Sequence, residues 1–151
     1  MIEFGHRVVG IRDGVDNPVL RRRLVVADLY ELTEELFWGE LTFKAGDADF
    51  SRPGPVLDAA YCFYVLSGEL EGRPKRTYSA AGGAGEFSFT RKGDVLRIRE
   101  ERGPVVSVSY QEFRGAAEAF IRVVIADLCR LYPELDRNEE MLSLKRRLKS
   151  A

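Results

Sequence analysis

The chain has 151 residues, of which 45% are hydrophobic and 31% are charged, and its formal net charge is -1. This length and apolar content suit one domain with a substantial core and argue against a disordered chain. The near-neutral charge gives no global reason to expect a nucleic acid or a membrane surface as a partner. No apolar run approaches the roughly 18 residues of a membrane span, and residues 1–10 lack the regions of a signal peptide. We therefore expect a single cytoplasmic domain over residues 1–151.

Three β-strands are predicted in the N-terminal part of the chain. Ile2–Ile11 alternates in hydrophobicity, and Leu24–Leu32 is rich in β-branched and aromatic residues. The third strand, Leu36–Lys44, also alternates. Its inward set consists of Phe37, Leu41 and Phe43, and its outward set consists of Trp38, Glu40, Thr42 and Lys44. Gly39 falls on the inward side, where a missing side chain leaves room for a bulge or a close helix.

Turn-forming residues separate these strands from a central helix. Composition predicts a loop over residues 13–18, a turn over residues 33–35 and a crossing segment over residues 45–55. The helix Val56–Leu70 is apolar on all sides, so we expect the rest of the protein to cover most of it. The small residues of Arg73–Gly85 predict a loop.

A three-strand meander and a long helix dominate the C-terminal half. The strands are predicted at Glu86–Thr90, Val95–Arg99 and Val105–Tyr110, and the helix at Gln111–Tyr132. Asp136 with Glu139 resembles a capping box for a last helix through Leu148. Together these elements predict an α+β fold in the order β-β-β-α-β-β-β-α-α. Its mostly antiparallel sheet of about six strands would pack against the central helix and a C-terminal helix.

Few side chains in the sequence could support chemistry. His6 is the only histidine and lies on an otherwise apolar strand face, where a hydrogen-bonded structural role is favoured. Cys62 and His6 could pair as nucleophile and base, but a buried, inert free thiol is the commoner state, for Cys129 as well. Asp47 and Asp49 resemble a metal-ligand pair, although solvated loop carboxylates are the favoured interpretation. We therefore expect no catalytic, cofactor or metal site, and a protein that is not an enzyme.

Charge is distributed unevenly along the chain. Between Leu24 and Ser51 the sequence contains seven acidic residues and only one basic residue, Lys44. If Leu24–Leu32 and Leu36–Lys44 form a hairpin, aromatic and acidic side chains share its outer face, which suits an anchor for a basic protein partner. The predicted partner-binding residues are Asp28, Tyr30, Trp38, Glu40, Asp47 and Asp49. The alternative is that a helix of the same chain covers Trp38.

The meander also carries a group of basic residues that could contact phosphates. The group consists of Arg91, Lys92, Arg97, Arg99 and Arg102. Three acids, Asp94, Glu100 and Glu101, interrupt it in the sequence. A salt-bridged solvent face is therefore favoured over nucleic-acid binding, and we expect neither nucleic acid nor membrane as a partner.

Several segments together resemble the small bacterial immunity proteins of polymorphic toxin systems. They are Phe37-Trp38-Gly39-Glu40-Leu41-Thr42-Phe43, Asp49-Phe50-Ser51, an apolar helix, a three-strand meander and a closing helix ending Leu131-Tyr132-Pro133-Glu134-Leu135. The resemblance spans most of the chain. It implies a cytoplasmic non-enzyme that neutralises a toxin by covering its active surface, and it transfers no individual functional residue.

Two other functions remain open on the sequence. A small-molecule-binding protein or an unrecognised enzyme would have a pocket between the sheet and the central helix at residues 61–64, where tyrosine hydroxyls could orient a ligand. Self-association through an apolar edge or helix face would instead make a homo-oligomer. These alternatives differ from protein binding in needing, respectively, a cavity and a second copy of the chain.

Overall fold

The structure is a computed structural model that describes residues 1–11, 18–80 and 85–150. In chain order its elements are β1 (Ile2–Ile11), α1 (Pro18–Arg23), a π-helical segment (Glu31–Leu36), β2 (Phe37–Ala45), β3 (Ala48–Asp49), β4 (Arg52–Pro55), α2 (Val56–Glu69), β5 (Lys75–Ser79), β6 (Glu86–Lys92), β7 (Val95–Glu100), β8 (Val105–Ser109), α3 (Tyr110–Leu131), a 3₁₀ helix (Pro133–Arg137) and α4 (Glu139–Ser150). Most of the predicted loop at 13–18 and the small-residue stretch at 81–84 lie outside the described residues.

The strands form two antiparallel sheets of four strands each, and the predicted α+β class is confirmed. In the first sheet, β2 is central: β1 pairs along one of its edges, and β3 and β4 share the other. The second sheet is a meander in the order β5-β6-β7-β8. The described residues therefore contain eight strands in two sheets, where the sequence predicts about six in one.

Aromatic side chains from both sheets meet in one core. The ring of Phe43 on β2 lies 4.7 Å from that of Phe4 on β1 and 5.1 Å from that of Phe63 on α2, between ring centroids. It also lies 5.8 Å from the ring of Phe87 on β6, in the second sheet. Phe113 on α3 completes this cluster at 6.5 Å from Phe43. The inner faces of the two sheets and both long helices thus share buried contacts.

The predicted strand Leu24–Leu32 is wrong. After α1 the chain continues in tight turns, in which the amides of Leu24 and Val25 bond to the carbonyls of Arg21 and Arg22. It then enters the π-helical segment Glu31–Leu36, so the predicted turn at 33–35 is helical. Local capping and helical spacing outweigh β-propensity here, because Leu32 and Thr33 are buried one after the other rather than alternately.

Without that strand there is no hairpin between Leu24–Leu32 and Leu36–Lys44. β2 pairs instead with β1, in a register that joins Phe4 to Phe43 and His6 to Leu41. The predicted alternation of β2 is confirmed, since Phe37, Leu41 and Phe43 are buried and Glu40 and Lys44 are exposed. Gly39 lies at the inner side against the backbone carbonyl of Arg7, where a Cβ would clash, and β1 bulges just beyond, between Val8 and Gly10.

The predicted meander and long helix are confirmed, with a few local differences. The segment predicted as a loop contains a fourth strand of the second sheet, β5, whose only fully inward apolar side chain is Tyr78. The crossing segment at 45–55 includes the short edge strands β3 and β4. The predicted cap of the last helix is also wrong: Asp136 pairs with Lys145 at 2.9 Å, and Asn138 Oδ1 accepts the Met141 amide instead.

Candidate functional site

One buried side chain fixes the conformation of the irregular segment between α1 and the π-helical segment. Asn138, fully buried ahead of α4, donates from Nδ2 to the carbonyl oxygens of Leu24 at 2.7 Å and Ala27 at 2.9 Å. Its Oδ1 accepts the Met141 amide at 3.0 Å, which caps α4. Because all these hydrogen bonds are inside the protein, the segment is pre-ordered despite having no regular structure.

The outer side of this segment presents apolar side chains beside carboxylates. Val26 is 80% exposed and Tyr30 is 59% exposed. Asp28 lies between them and is exposed, while its Oδ1 accepts the Glu31 amide at 2.9 Å and its own amide bonds to Glu31 Oε1 at 3.4 Å. This reciprocal pair resembles a capping box. Asp28 therefore shapes the segment as well as lending it charge.

Trp38 and Glu40 lie on the outer face of the first sheet, as predicted from their alternation. The Trp38 indole Nε1 donates to the Glu34 carbonyl at 3.1 Å, so the ring folds back toward the π-helical segment and is half-buried. Glu40 is exposed and stands opposite Arg7 of β1. The π-helical segment thus connects Tyr30, at its N-terminal end, to Trp38 shortly after its C-terminal end. We call Val26, Asp28, Tyr30, Trp38 and Glu40 the aromatic–acidic surface.

Asp47 and Asp49, the other two predicted partner-binding residues, belong to a different place. In the pairing of β2 with β3, Asp49 stands opposite Lys44. Lys44 lies four residues, or about 14 Å, along β2 from Glu40. Hydrogen bonds from Ser51, with the amide at 2.9 Å, hold the pKa of Asp49 below its ordinary value. Both aspartates are exposed. The structure therefore divides the predicted site into two groups.

The reactive side chains have separate partners. His6 Nε2 lies 2.9 Å from Asp127 Oδ2 on α3, a hydrogen bond consistent with the predicted structural role. Cys62 and Cys129 are free thiols. Burial, together with Asp58 at 3.5 Å from its sulfur, raises the pKa of Cys62 to about 12. A thiol with that pKa is protonated at neutral pH, so it is a poor nucleophile.

A polar network behind Cys62 joins α2 to β5 and borders a groove. Tyr78 donates its hydroxyl to Asp58 Oδ2 at 2.8 Å, and burial raises the pKa of this phenol. The groove has a volume of about 440 Å³ and is lined on its two sides by residues that include Tyr61, Cys62 and Arg76. It lies where the small-molecule hypothesis requires a pocket. Arg76 pairs with Glu69 there, while its Nε is buried without a hydrogen-bond partner among the described residues.

The outer face of the second sheet is a further candidate site, and it carries three of the five basic residues that the sequence predicts to form a salt-bridged face. Among the described residues, its cations Lys75, Lys92, Arg97 and Arg99 are exposed and form no ion pair. The expected salt-bridged face is therefore wrong for Lys92, Arg97 and Arg99.

Two of the three acids that interrupt these cations in the sequence have partners of their own in the structure. Glu100 points to the inner side and pairs with Arg52, and Asp94 accepts the Ser109 hydroxyl at 2.9 Å at the start of α3. Arg91, one of the predicted basic group, is also on the inner side, over the Tyr110 ring at 3.9 Å. The alternation of β7 in the sequence indicates the inward position of Glu100, because it places Glu100 on the same face of the strand as the buried Leu96 and Ile98.

Residues 1–11, 18–80 and 85–150 contain neither a metal-binding cluster nor a membrane-spanning helix. No group of three or more His, Cys, Asp or Glu side chains there could hold a metal ion. In the same ranges, no helix combines the length and apolar character that crossing a bilayer requires. The candidate surfaces are therefore the aromatic–acidic surface, the α2–β5 groove and the outer face of the second sheet.

Comparisons of the chain with protein-family models, with curated proteins and with solved structures find no match.

Proposed function

We propose that this chain is a non-enzymatic protein-binding module that acts through the aromatic–acidic surface. The observation that carries the proposal is the exposure of Val26 and Tyr30 on a segment that Asn138 holds in place. Exposed aromatic and aliphatic side chains on a pre-ordered segment are favourable anchors, because little conformational entropy is lost when a partner covers them. The half-buried Trp38 enlarges the apolar area.

The carboxylates around these anchors support a basic partner. Asp28, Glu35 and Glu40 are exposed within the same stretch, so a basic surface would find complementary charge around the apolar centre. Asp47 and Asp49, at the far end of the first sheet, would contact only a partner large enough to span about 14 Å. The resemblance to immunity proteins supports a toxin as this partner. The two free thiols support a reducing compartment, the cytoplasm.

Affinity purification from the native host tests the proposal, with the product of the neighbouring gene as the first suspect. Binding of the recovered partner would then be measured for Trp38→Ala with Glu40→Ala, and we expect an affinity loss of at least about tenfold. Because Trp38 is partly packed within the chain, Tyr30→Ala with Glu40→Arg provides a second variant that leaves the packing intact.

Val123→Ala with Glu139→Ala is the matched control, since it removes an exposed apolar side chain and an exposed acid elsewhere. Undiminished affinity in both test variants would remove this surface from consideration. Co-expression with the partner tests the immunity role separately: cells should survive only when the chain can bind. A partner that does not harm cells would contradict the immunity role and leave protein binding in place.

A second candidate function is small-molecule binding in the α2–β5 groove. The observation that favours it is Arg76, whose side chain lines the groove and whose Nε lacks a hydrogen-bond partner among the described residues. Thermal-shift measurements with small carboxylates and phosphates test this function. We expect stabilisation that Arg76→Gln removes, and the absence of any stabilising compound would contradict it.

A further inference from the structure

We propose that the outer face of the second sheet is a docking surface for an acidic protein segment. This basic face consists of the outward side chains of β5 to β8: Lys75, Thr77, Ser79, Glu86, Ser88, Thr90, Lys92, Val95, Arg97, Arg99, Val105, Ser107 and Ser109. It shares no residue with the aromatic–acidic surface. The inference therefore stands whether or not the proposed function is correct.

The electrostatics of the basic face differ from those of the rest of the chain. Its outward strand residues comprise four cations and one carboxylate, a net charge of +3, so the remainder of a chain whose total is -1 carries a net charge of -4. Asp94, in the turn between β6 and β7, borders the face by accepting the Ser109 hydroxyl. Like charges that share one sheet face repel one another, and among the described residues none of these cations has an ion-pair partner. A partner that supplies carboxylates would relieve that repulsion.

The spacing of the cations suits a polypeptide ligand. Arg97 and Arg99 lie two residues apart on β7, about 7 Å, which is the repeat of same-side residues on an extended strand. Lys75 lies in the same cross-strand row as Arg97, with Thr90 between them. Guanidinium groups bind carboxylates with two parallel hydrogen bonds, and the neighbouring serine and threonine hydroxyls add donors.

Two observations favour an acidic polypeptide over a nucleic acid. The basic face has no aromatic side chain, so it offers bases nothing to stack on. It is also small: four strands span about 14 Å between the outer two. A longer nucleic acid would extend past this area and meet a surface of net negative charge, whereas a short acidic segment would lie within it.

Fluorescence anisotropy with two labelled probes tests the inference on the full chain. One probe is a peptide in which Glu alternates with Thr, and the other is a single-stranded oligouridylate of the same net charge. We expect the peptide to bind the wild type saturably at low ionic strength and more tightly than the oligouridylate. Arg97→Glu with Arg99→Glu should weaken peptide binding by at least about tenfold.

Arg22→Glu with Lys149→Glu is the matched control, because it makes the same change in net charge at two exposed positions outside the basic face. The control should change the affinity by less than about threefold. Circular dichroism and thermal unfolding establish that each variant is folded. An unchanged affinity in the Arg97 and Arg99 variant, or an equal loss in the control, would overturn the inference.

Two further outcomes would also overturn it by identifying another occupant. Binding of the oligouridylate as tight as that of the peptide would assign the face to nucleic acid. Self-association of the wild type in sedimentation experiments that the Arg97 and Arg99 variant abolishes would assign it to a second copy of the chain. Neither result would bear on the aromatic–acidic surface, whose own test uses Tyr30, Trp38 and Glu40.

Discussion

The two sheets have similar buried inner faces, but their outer faces differ in the arrangement of charge. In the first sheet, charges alternate in register: Arg7 stands opposite Glu40, and Lys44 lies between Glu3 on β1 and Asp49 on β3. In the second sheet, the cross-strand neighbours of the outward cations are serines, threonines and valines, and none is an acid. Both sheets come from alternating sequences, so the difference arises from which strands pair and in which register.

One core supports both sheets, and Phe43→Ala tests whether the two sheets unfold together. Removing this ring from the cluster that joins the two sheets should lower the free energy of unfolding by about 3–5 kcal/mol, the largest effect expected here. Fluorescence of Trp38, the only tryptophan, reports on the first sheet, and amide exchange in β6 and β7 reports on the second. Urea titration should give coincident transitions.

Val95→Ala serves as the control for that experiment, because Val95 is exposed on the outer face. This substitution should lower the free energy of unfolding by less than about 0.5 kcal/mol. Two separate transitions in the Phe43 variant would show that the sheets unfold independently. The comparison of outer faces would then be one between two units rather than within one domain.

Asn138→Ala tests the stability of the segment at the edge of the first sheet, where the aromatic–acidic surface begins. The substitution leaves two buried carbonyls without their donor, and we expect a loss of about 2–3 kcal/mol in unfolding free energy. Amide exchange in residues 24–30 should accelerate. Asn138→Asp is the informative control, because it retains the acceptor for the Met141 amide but loses both donors. If amide exchange in residues 24–30 stayed as slow in both variants as in the wild type, Asn138 would not be what holds this segment in place.

Charge reversals test the difference between the outer faces directly. Lys44→Glu places a third acid beside Glu3 and Asp49 and should cost about 0.5–1 kcal/mol. Arg97→Glu places an acid among cations and should stabilise the protein by a few tenths of a kcal/mol, about 0.3. Both effects should shrink in high salt, since screening weakens interactions between exposed charges. Changes of the same sign in denaturant unfolding would contradict the comparison.

The smallest expected effect is a pH dependence at Asp49. Hydrogen bonds from Ser51 lower the pKa of this carboxyl below its ordinary 3.8, so the folded state favours the ionised form. Its stabilising contribution is therefore present above pH 3.8 and is lost as the pH falls through the lower folded pKa. Ser51→Ala should raise the pKa measured by NMR titration, and Asp49→Asn should make acid unfolding slightly less steep. An unchanged Asp49 pKa in Ser51→Ala would be contrary to this account.

Where sequence reasoning succeeded, a buried face imposed a regular period. β2, β6 and β7 bury every second residue, and α3 buries one face, so hydrophobicity alone indicates these elements. The β-branched residues of segment 24–32 predict a strand, but the structure forms turns and helix there. Asp28 with Glu31, and the spacing of Leu29, Leu32 and Leu36, were the helical signals present in the same residues.

The candidate surfaces were harder to predict because they depend on distant parts of the chain. Asn138 is 114 and 111 residues from the carbonyls it binds, and no local pattern indicates such a contact. Outward positions of Trp38, Arg97 and Arg99 followed from alternation. Alternation does not predict whether neighbouring charges neutralise these side chains, because strand pairing decides which charges stand side by side.

The hydrogen bonds of Asn138 also have a consequence for synthesis on the ribosome. Residues 24–30 are made early, but the side chain that fixes them is added more than a hundred residues later. A nascent chain exposes Val26 and Tyr30 before their segment is ordered, and it completes the aromatic–acidic surface only after Asn138 has left the exit tunnel. Partner recognition that needs the ordered segment is thereby restricted to chains in which residue 138 has already emerged from the ribosome.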